Sequence, residues 1–227
     1  MDGANRSMDR HTKRRLKTRT DLLRAALRLF GTRNPVDVSV QDITALADVG
    51  SGSFYNHFDS KQAIYDAVVE ELVDGWVVWM RQHEQDDADP ALRLSHRLRA
   101  CLERGRCDPD FARFVARNGL SLMERQSGPE ASLSRDIERG LSVGRFTAVD
   151  HLMAKRAAIG ITLSIQHAFA SGRDEPMAST RAAWYVLMLL GVSKAEADRL
   201  VALPLPVSDP DDFMLVEYNH LRGAAAA

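Results

Sequence analysis

Apolar residues recur at helical spacing along most of the chain, and no stretch alternates apolar and polar residues as a strand would. The first such segment predicts a helix from about Lys13 to Phe30, ended by Gly31 in the C′ position. A second long segment begins after Ser60 and continues to about His83. With the shorter segments, the pattern predicts nine or ten helices and therefore an all-α protein.

Local signals mark the starts of the later helices. They are Pro90, Asp108-Pro109, Pro129, Thr147 with Asp150, Asp174-Glu175-Pro176, and Ser193 with Glu196. Proline is favoured at the first helical position, and a serine or threonine three residues before an acid has capping-box spacing. We expect the Thr147 pair to open a long helix to about Ala170, the next helix to end at Gly191, and Pro204 to stop the last one.

The two long helices near the C-terminus are apolar on more than one face. The residues that cannot share a face are Ile159, Leu163 and Phe169 in the first helix, and Trp184, Leu187, Met188 and Leu190 in the second. A helix that is apolar on two faces needs a second packing partner. That partner is either a second copy of the chain or another part of the same subunit.

The segment from Val38 to Lys61 reads as two short helices joined by a tight turn. Ser39 can cap the first helix, because Asp42 stands at capping-box spacing. Asp48-Val49-Gly50 then forms a three-residue turn containing glycine, as helix-turn-helix units have. We expect Ser51 to cap the second helix and its two phenylalanines, Phe54 and Phe58, to be buried.

The remaining positions of the second helix are small or hydrogen-bonding, and none is acidic. They are Ser51, Gly52, Ser53, Tyr55, Asn56 and His57. Lys61 follows in the first turn of the next helix, where it opposes the helix dipole at a cost of roughly 0.3–1 kcal/mol. A phosphate docked there would be held by both the helix N-terminus and the ammonium group. The alternative is that Lys61 is an exposed lysine without a partner. The acid-free helix before it favours an anionic partner instead.

Charge is distributed unevenly along a nearly neutral chain. The formal net charge of the 227 residues is −1, yet Arg6 to Arg28 contains nine Lys or Arg and two acids, a local net charge of +7. A local basic segment on a neutral protein is typical of a DNA reader, although residues 1–11 also fit a solvated tail. The two cysteines have no metal or redox spacing, so we expect reduced thiols in a cytoplasmic protein. No apolar run is long enough to cross a bilayer, and the polar N-terminus does not resemble a signal peptide.

From about Thr18 to Val69 the chain resembles the DNA-binding domain of the TetR family of bacterial transcriptional regulators. The resemblance rests on Ala26–Phe30, Val40–Thr44 and above all Gly52–Lys61, whose pattern small-aromatic-Tyr-x-His-Phe-x-Ser-Lys is nearly a signature. The family commonly has glycine where this chain has Asp48, and serine or threonine where it has Gly50. The link from Arg33 to Asp37 is also unusual, so the departures bear on operator preference rather than on fold.

The resemblance implies four parts. Residues 1–12 form a basic arm expected to be disordered, 13–60 the helix-turn-helix head, 61–205 an effector-binding and dimerisation body, and 206–227 a tail. The helix after Ser60 would link head to body. The two apolar C-terminal helices would form a four-helix bundle with a second copy.

The resemblance also implies roles for residues in the head. The residues expected at phosphates are Tyr55, His57 and Lys61, with Ser39 nearby, and those expected at base edges are Gln41, Ser51, Ser53 and Asn56. Gln and Asn can pair bidentately with adenine, whereas Ser discriminates less. Gly52 would let the backbone approach DNA closely.

The body has the composition of an apolar ligand site. The candidates are Trp76, Trp79, Phe111, Phe114 and Met123, with Asn118, Gln166 and His167 as the polar groups among them. Each of these also fits ordinary core packing. No histidine has a ligand-spaced partner, and no nucleophile elbow or phosphate loop occurs, so we expect no metal, cofactor or catalytic site.

Together these observations predict a homodimeric repressor that binds a near-palindromic operator in double-stranded DNA and is released by a small, largely apolar effector. The alternative from another class is an all-α enzyme or ligand carrier with a non-functional DNA-binding head. An intermediate possibility is a regulator that responds to a protein partner. We expect no membrane association.

Overall fold

The computed structural model describes residues 10–83, 89–122, 129–148, 150–173 and 175–206, with the backbone alone at 73–83 and 129–130. These residues form ten α-helices and one 3-10 turn, without a strand, which confirms the all-α prediction. The helices are α1 (Arg10–Thr32), α2 (Val40–Leu46), α3 (Ser51–Tyr55), α4 (Lys61–His83), α5 (Pro90–Cys107), α6 (Pro109–Leu122), α7 (Pro129–Ser142), α8 (His151–Ala170), α9 (Ala178–Leu189) and α10 (Lys194–Ala202), and the 3-10 turn is Pro35–Asp37. None of the described helices has the length and apolar character needed to cross a membrane.

Most predicted helix starts are confirmed by the hydrogen bonds of their caps. The Ser60 hydroxyl accepts from the backbone N–H of Ala63 at the start of α4. Asp108 accepts from two backbone N–H groups at the start of α6, at 3.1 Å each. Ser193 accepts from the N–H of Glu196 and caps α10 as predicted. Side-chain caps of this kind satisfy N–H groups that have no partner inside the helix.

Two predicted starts are wrong. Asp150 caps α8 by accepting from Met153 N at 2.8 Å, whereas the Thr147 hydroxyl donates to Gly191 O. Thr147 lies four residues before the first residue of α8, and its backbone N–H bonds to Leu190 O, which ties this loop to the end of α9. α9 itself begins at Ala178, later than predicted, because Met177 before it is left-handed with φ 63°.

Gly31 does not end α1 as predicted but lies inside it. A Cβ at this position would stand 3.0 Å from the backbone nitrogen of Phe114 and 3.1 Å from Arg113 Cβ. The glycine therefore permits a close crossing of α1 and α6 rather than a left-handed turn. The helix continues through Thr32, whose hydroxyl donates to Arg28 O and Leu29 O.

The buried side chains form clusters that do not follow the predicted division into head and body. One cluster joins α1 to α4, with Phe30, Ile43 and Phe54 fully buried, and continues into α6 through Phe111 and Phe114. A second lies among α5 and α7–α10. α6 belongs to the predicted body, yet its Phe111 and Phe114 pack into the first cluster, so it lies between the two parts. The boundary at residue 60 stays a prediction.

An ion network joins α10 to the start of α5. Arg145, in the loop after α7, donates to both carboxylate oxygens of Asp89 at 2.7 and 2.8 Å and to Glu196 at 2.7 Å. Arg199 donates to the other oxygen of Glu196 at 2.8 Å. These two arginines, Arg199 foremost, lower the pKa of Glu196 to about 2. The network thus holds three separate segments together at one edge of the body.

Candidate nucleic-acid interface

α2 begins with the capping box that the sequence predicts. The Ser39 backbone N–H donates to Asp42 at 2.8 Å, and the Asp42 N–H donates to the Ser39 hydroxyl at 3.1 Å. The Ser39 hydroxyl also donates to the Asp42 carboxylate at 2.6 Å. These bonds, and then Arg33 at 3.4 Å, lower the pKa of Asp42. Ser39, predicted near phosphates, thus has its hydroxyl committed to the cap.

The turn between α2 and α3 is held by an aspartate in an unusual conformation. Asp48 is left-handed, with φ 53°, and the next N–H, of Val49, donates to Thr44 O at 3.0 Å. Left-handed backbone is costly for residues with a Cβ, and Asp and Asn tolerate it better than most. The departure from glycine at this position therefore retains the backbone shape that the turn needs.

α3 is capped by Gly50, so the prediction of Ser51 as the cap is wrong. Gly50 has the extended backbone of a cap residue, and Ser51 is already helical. The prediction of two buried anchors is confirmed: Phe54 is fully buried and Phe58 is 5% exposed. Their rings, 5.8 Å apart between centroids, fix α3 against the head core.

The side of α3 opposite these anchors faces outward. Ser51, Gly52, Tyr55 and Asn56 are exposed, as is Gln41 on α2, while Ser53 and His57 are half-buried. Tyr55 is 60% exposed although its ring packs edge-on against Phe54. A Cβ added at Gly52 meets no atom within 4 Å. The predicted base-reading positions therefore lie on an open, acid-free surface.

Lys61 lies at the start of α4, where it was predicted to bind phosphate. Its ammonium group donates to Pro35 O at 2.8 Å and to Val36 O at 3.0 Å. A lysine has three N–H donors, so one remains for another acceptor. The side chain fixes the turn before α2 against the start of α4, a contact that sequence spacing does not reveal.

Two arginines of α1, Arg15 and Arg19, lie close to this surface. The sequence did not single them out from the rest of the basic segment. The guanidinium carbon of Arg19 lies 4.7 Å from the centre of the Phe58 ring, and Arg19 Nη2 is 3.5 Å from Glu71 on α4. Burial, then Arg15 and Arg19, lowers the pKa of His57. The basic run from Arg6 was visible in the sequence. Which of its members reach α3 depends on how α1 packs.

Two aromatic candidates for the body pocket, Phe111 and Phe114, lie within the described residues. Both are on α6 and belong to the core. Phe114 is fully buried and Phe111 is 4% exposed, with the Arg104 guanidinium carbon 4.1 Å from the Phe111 ring centre. Asn118 is also buried, and its amide donates to Phe30 O at 3.2 Å and to Phe114 O at 3.0 Å. Asn118 therefore connects α6 to the last turn of α1.

The other polar candidates, Gln166 and His167, differ sharply in burial. Gln166 is fully buried on α8 and donates to Cys101 O at 2.9 Å, whereas the next residue, His167, is exposed. Within the described part of the chain, no donor reaches the Gln166 side-chain oxygen. The side chains of Trp76 and Trp79 on α4, and Met123, lie outside the described residues.

A surface cavity of about 940 Å³ runs beside α1, between the α2–α3 turn and the start of α6. Its walls include cations of α1, such as Arg14 and Arg24, and acids from other elements, such as Asp48 and Asp108. Of the predicted apolar site, the described candidates Phe111, Phe114, Asn118, Gln166 and His167 do not line this cavity.

Family models match both parts of the chain. The model for bacterial regulatory proteins of the tetR family matches residues 22–68. The model for the tetracyclin repressor-like C-terminal domain matches residues 89–202, about half of the chain. The chain therefore belongs to the TetR family, as the head motif predicted.

Two of the curated relatives are named as repressors. The HTH-type transcriptional repressor DhaR of Mycobacterium sp. (strain GP1) is 34% identical over 90 residues, 39% of this chain and 46% of DhaR. The HTH-type transcriptional repressor KstR2 of Rhodococcus jostii (strain RHA1) is 41% identical over 56 residues, 25% of this chain and 28% of KstR2. The chain thus spans less than half the length of either relative.

Among solved structures, RolR shares the fold over most of its length. RolR without ligand superposes with a TM-score of 0.59 and 26% identity, over 83% of this chain and 99% of RolR. RolR in complex with resorcinol gives a TM-score of 0.52 and 24% identity, over 87% and 99%.

Proposed function

We propose that the chain is a homodimeric transcriptional repressor that binds a near-palindromic operator in double-stranded DNA. The observation that carries the proposal is the open face of α3, which is free of acids, held by two buried phenylalanines and flanked by cations. Two sequence relatives are named repressors, and family membership disfavours the enzyme alternative.

Contacts to phosphate and to bases would divide among the exposed residues of the head. Tyr55, His57 and the third N–H of Lys61 would face phosphates. Gln41 and Asn56, with Ser51 and Ser53, would face base edges, where amide side chains can pair with adenine. Ser39 would act indirectly, because its hydroxyl fixes the start of α2.

The test is a titration of the chain's own upstream DNA, followed by single-base operator variants at two salt concentrations. Lys61→Ala should weaken binding to all sequences alike and reduce the salt slope by about one. Gln41→Ala and Asn56→Ala should each cost about 1–3 kcal/mol on the preferred operator and relax preference at one position per half-site. Arg135→Ala, an exposed arginine on α7, is the matched control. Wild-type protein that binds no site in this DNA would contradict the proposal and favour a carrier.

A dimer would form through α8 and α9. Apolar side chains stand in solvent on both helices: Met153 is 55%, Leu152 45%, Tyr185 58% and Leu189 48% exposed. Exposed apolar side chains on two long helices that pack together are what an association surface requires. Trp184, one of the apolar residues of this helix that cannot share a face, donates its ring N–H to Asp198 at 2.8 Å in its own subunit, so Tyr185 is the better residue to test.

The effector we propose is a small, largely apolar molecule that carries a hydroxyl or N–H donor. RolR was solved with resorcinol, a small aromatic diol. In this chain the buried Gln166 oxygen, which lies against Gly105 on α5, has no donor among the described residues, and its amide is oriented by the bond to Cys101 O. Resorcinol is a suitable first probe. Coupling is reciprocal, typically about 1–3 kcal/mol, so a ligand bound equally well with and without operator would refute effector control by that ligand.

A further inference from the structure

The first turns of α1 extend beyond the core of the head. α1 begins at Arg10, earlier than the predicted start at Lys13, and its first fully buried residue is Leu22. At 1.5 Å per residue, these residues span about 18 Å of helix. From Arg10 through Arg15 every side chain is exposed. This helix start therefore has little packing to support it.

The composition of this segment makes it costly as an isolated helix. Arg10 to Thr20 contains six Lys or Arg, one His and no acid. Like charges stand four residues apart at Arg10 and Arg14 and again at Arg15 and Arg19, an arrangement that destabilises helices. Lys17 is paired with Asp21. No described acid pairs with the arginines at 10, 14 and 15. An external anion would offset this repulsion.

The packing of Arg19 shows on which side of the head this charge lies. Arg19 stacks on Phe58, the residue that follows His57, and Arg15 lies one turn earlier on the same side of α1. Both arginines act electrostatically on His57. The side of α1 that carries Arg15 and Arg19 is therefore continuous with the surface of α3 proposed to meet DNA, whereas Arg14, about 140° around the helix from Arg19, borders the cavity beside α1.

We infer that the basic extension, Arg10–Arg19, is a second phosphate-binding surface that holds the DNA backbone beside each α3, outside the base pairs that α2 and α3 read. The inference rests on the proposed function. The extension is about 14 Å long, and phosphates on one strand repeat about every 3.4 Å, so it can cover about four nucleotides. Each operator half-site would then be longer than the bases that determine preference.

The test uses a triple variant that removes charge without touching the head core. It changes Arg10, Arg14 and Arg15 to Gln and leaves Arg19 on Phe58. The matched control changes three exposed arginines elsewhere, Arg117, Arg135 and Arg173, to Gln. Binding is measured over a range of salt concentrations. Each lost phosphate contact should reduce the salt slope by about 0.9, so the variant should lose up to about 2.7 from the slope at each half-site and roughly tenfold or more in affinity. The control should match wild type.

A second measurement compares an operator that ends at the two half-sites with one that carries about five more base pairs on each side. Wild type should gain roughly tenfold or more from the flanks, and the triple variant should gain little. Melting of the variant, at or above the wild-type temperature, checks that the head is folded.

A variant with the wild-type salt slope and flank dependence would overturn the inference while leaving the proposed function intact. Wild-type protein that binds no operator would overturn the function and this inference with it. A variant that binds operator as wild type does but loses binding to anionic phospholipid vesicles would also overturn the inference, because the partner would then be a membrane surface.

Discussion

Gly52 offers a substitution that separates folding from DNA binding. The Cβ of an alanine there would meet no atom within 4 Å, so Gly52→Ala creates no clash in the free protein. Gly52 is the second residue of α3, and alanine is favoured over glycine inside helices by up to about 1 kcal/mol. We therefore expect the variant to be as stable as wild type or more stable, by roughly 0.5–1 kcal/mol.

Operator binding should change in the opposite direction. If the start of α3 approaches DNA closely, the added methyl group must displace a base edge or the sugar-phosphate backbone. A misfit of this kind costs about 1–3 kcal/mol at each half-site. At one half-site the loss would be roughly five- to 150-fold in affinity, and a dimer suffers it at both.

The assay combines thermal or denaturant unfolding with titration of the preferred operator. Ala195→Gly is the matched control, because Ala195 is also the second residue of its helix, α10, and is exposed. This control should lose about as much stability as Gly52→Ala gains and should keep wild-type operator affinity. It shows whether a stability change alone affects binding.

Gly52→Ala that is stabilised and still binds operator with wild-type affinity would refute the reasoning, since the start of α3 would then lie away from DNA. A Gly52→Ala variant that loses stability would refute the first step, that the added methyl group meets no other atom. Such a loss would mean that the open space above Gly52 is occupied in solution.

Three further predictions concern other parts of the chain. Asp48→Gly should stabilise the head by about 1 kcal/mol by relieving a left-handed residue, whereas Asp48→Asn should change the unfolding free energy little; equal effects would point to charge instead. Tyr185→Glu should shift the mass in sedimentation toward monomer and abolish operator binding, whereas Leu120→Glu, at a position 72% exposed on α6, should not. Because Arg199 and Arg145 lower the Glu196 pKa to about 2 from 4.5, its contribution to stability is present above the unfolded pKa and lost as pH falls toward 2. Glu196→Gln should therefore lose less stability than wild type over that pH range in acid unfolding, and an unchanged acid profile would contradict this.

The parts of the head that the sequence predicted correctly are those fixed by local signals. The Ser39–Asp42 spacing specifies a cap within one turn, and Phe54 and Phe58 are anchored by their period alone. Ser51 was predicted wrongly as a cap because Gly50 and Ser51 both suit that position. The extended backbone that defines a cap falls on Gly50.

The contacts that the sequence could not predict join residues far apart in the chain. Lys61 reaches carbonyls about 25 positions earlier, and Arg19 reaches Phe58, because α1, α2 and α4 meet around one core. Gly31 was misread for the same reason. A glycine near a helix end fits a left-handed stop, and only the nearby backbone of α6 shows that close packing is its role.

The hydrogen bond from Asn118 to Phe30 O couples the position of the end of α1 to the position of α6. The last carbonyls of a helix have no partner inside it, and here a side chain of α6 supplies one at 3.2 Å. At Gly31 the two helices are so close that even a Cβ would stand 3.0 Å from the backbone of α6. A shift of α6 would therefore either break this hydrogen bond or move the end of α1 with it. The turn that leads into α2 follows directly. Displacement in the body would thus reach the DNA-reading helices through α6 and α1 in series, in addition to any path along α4.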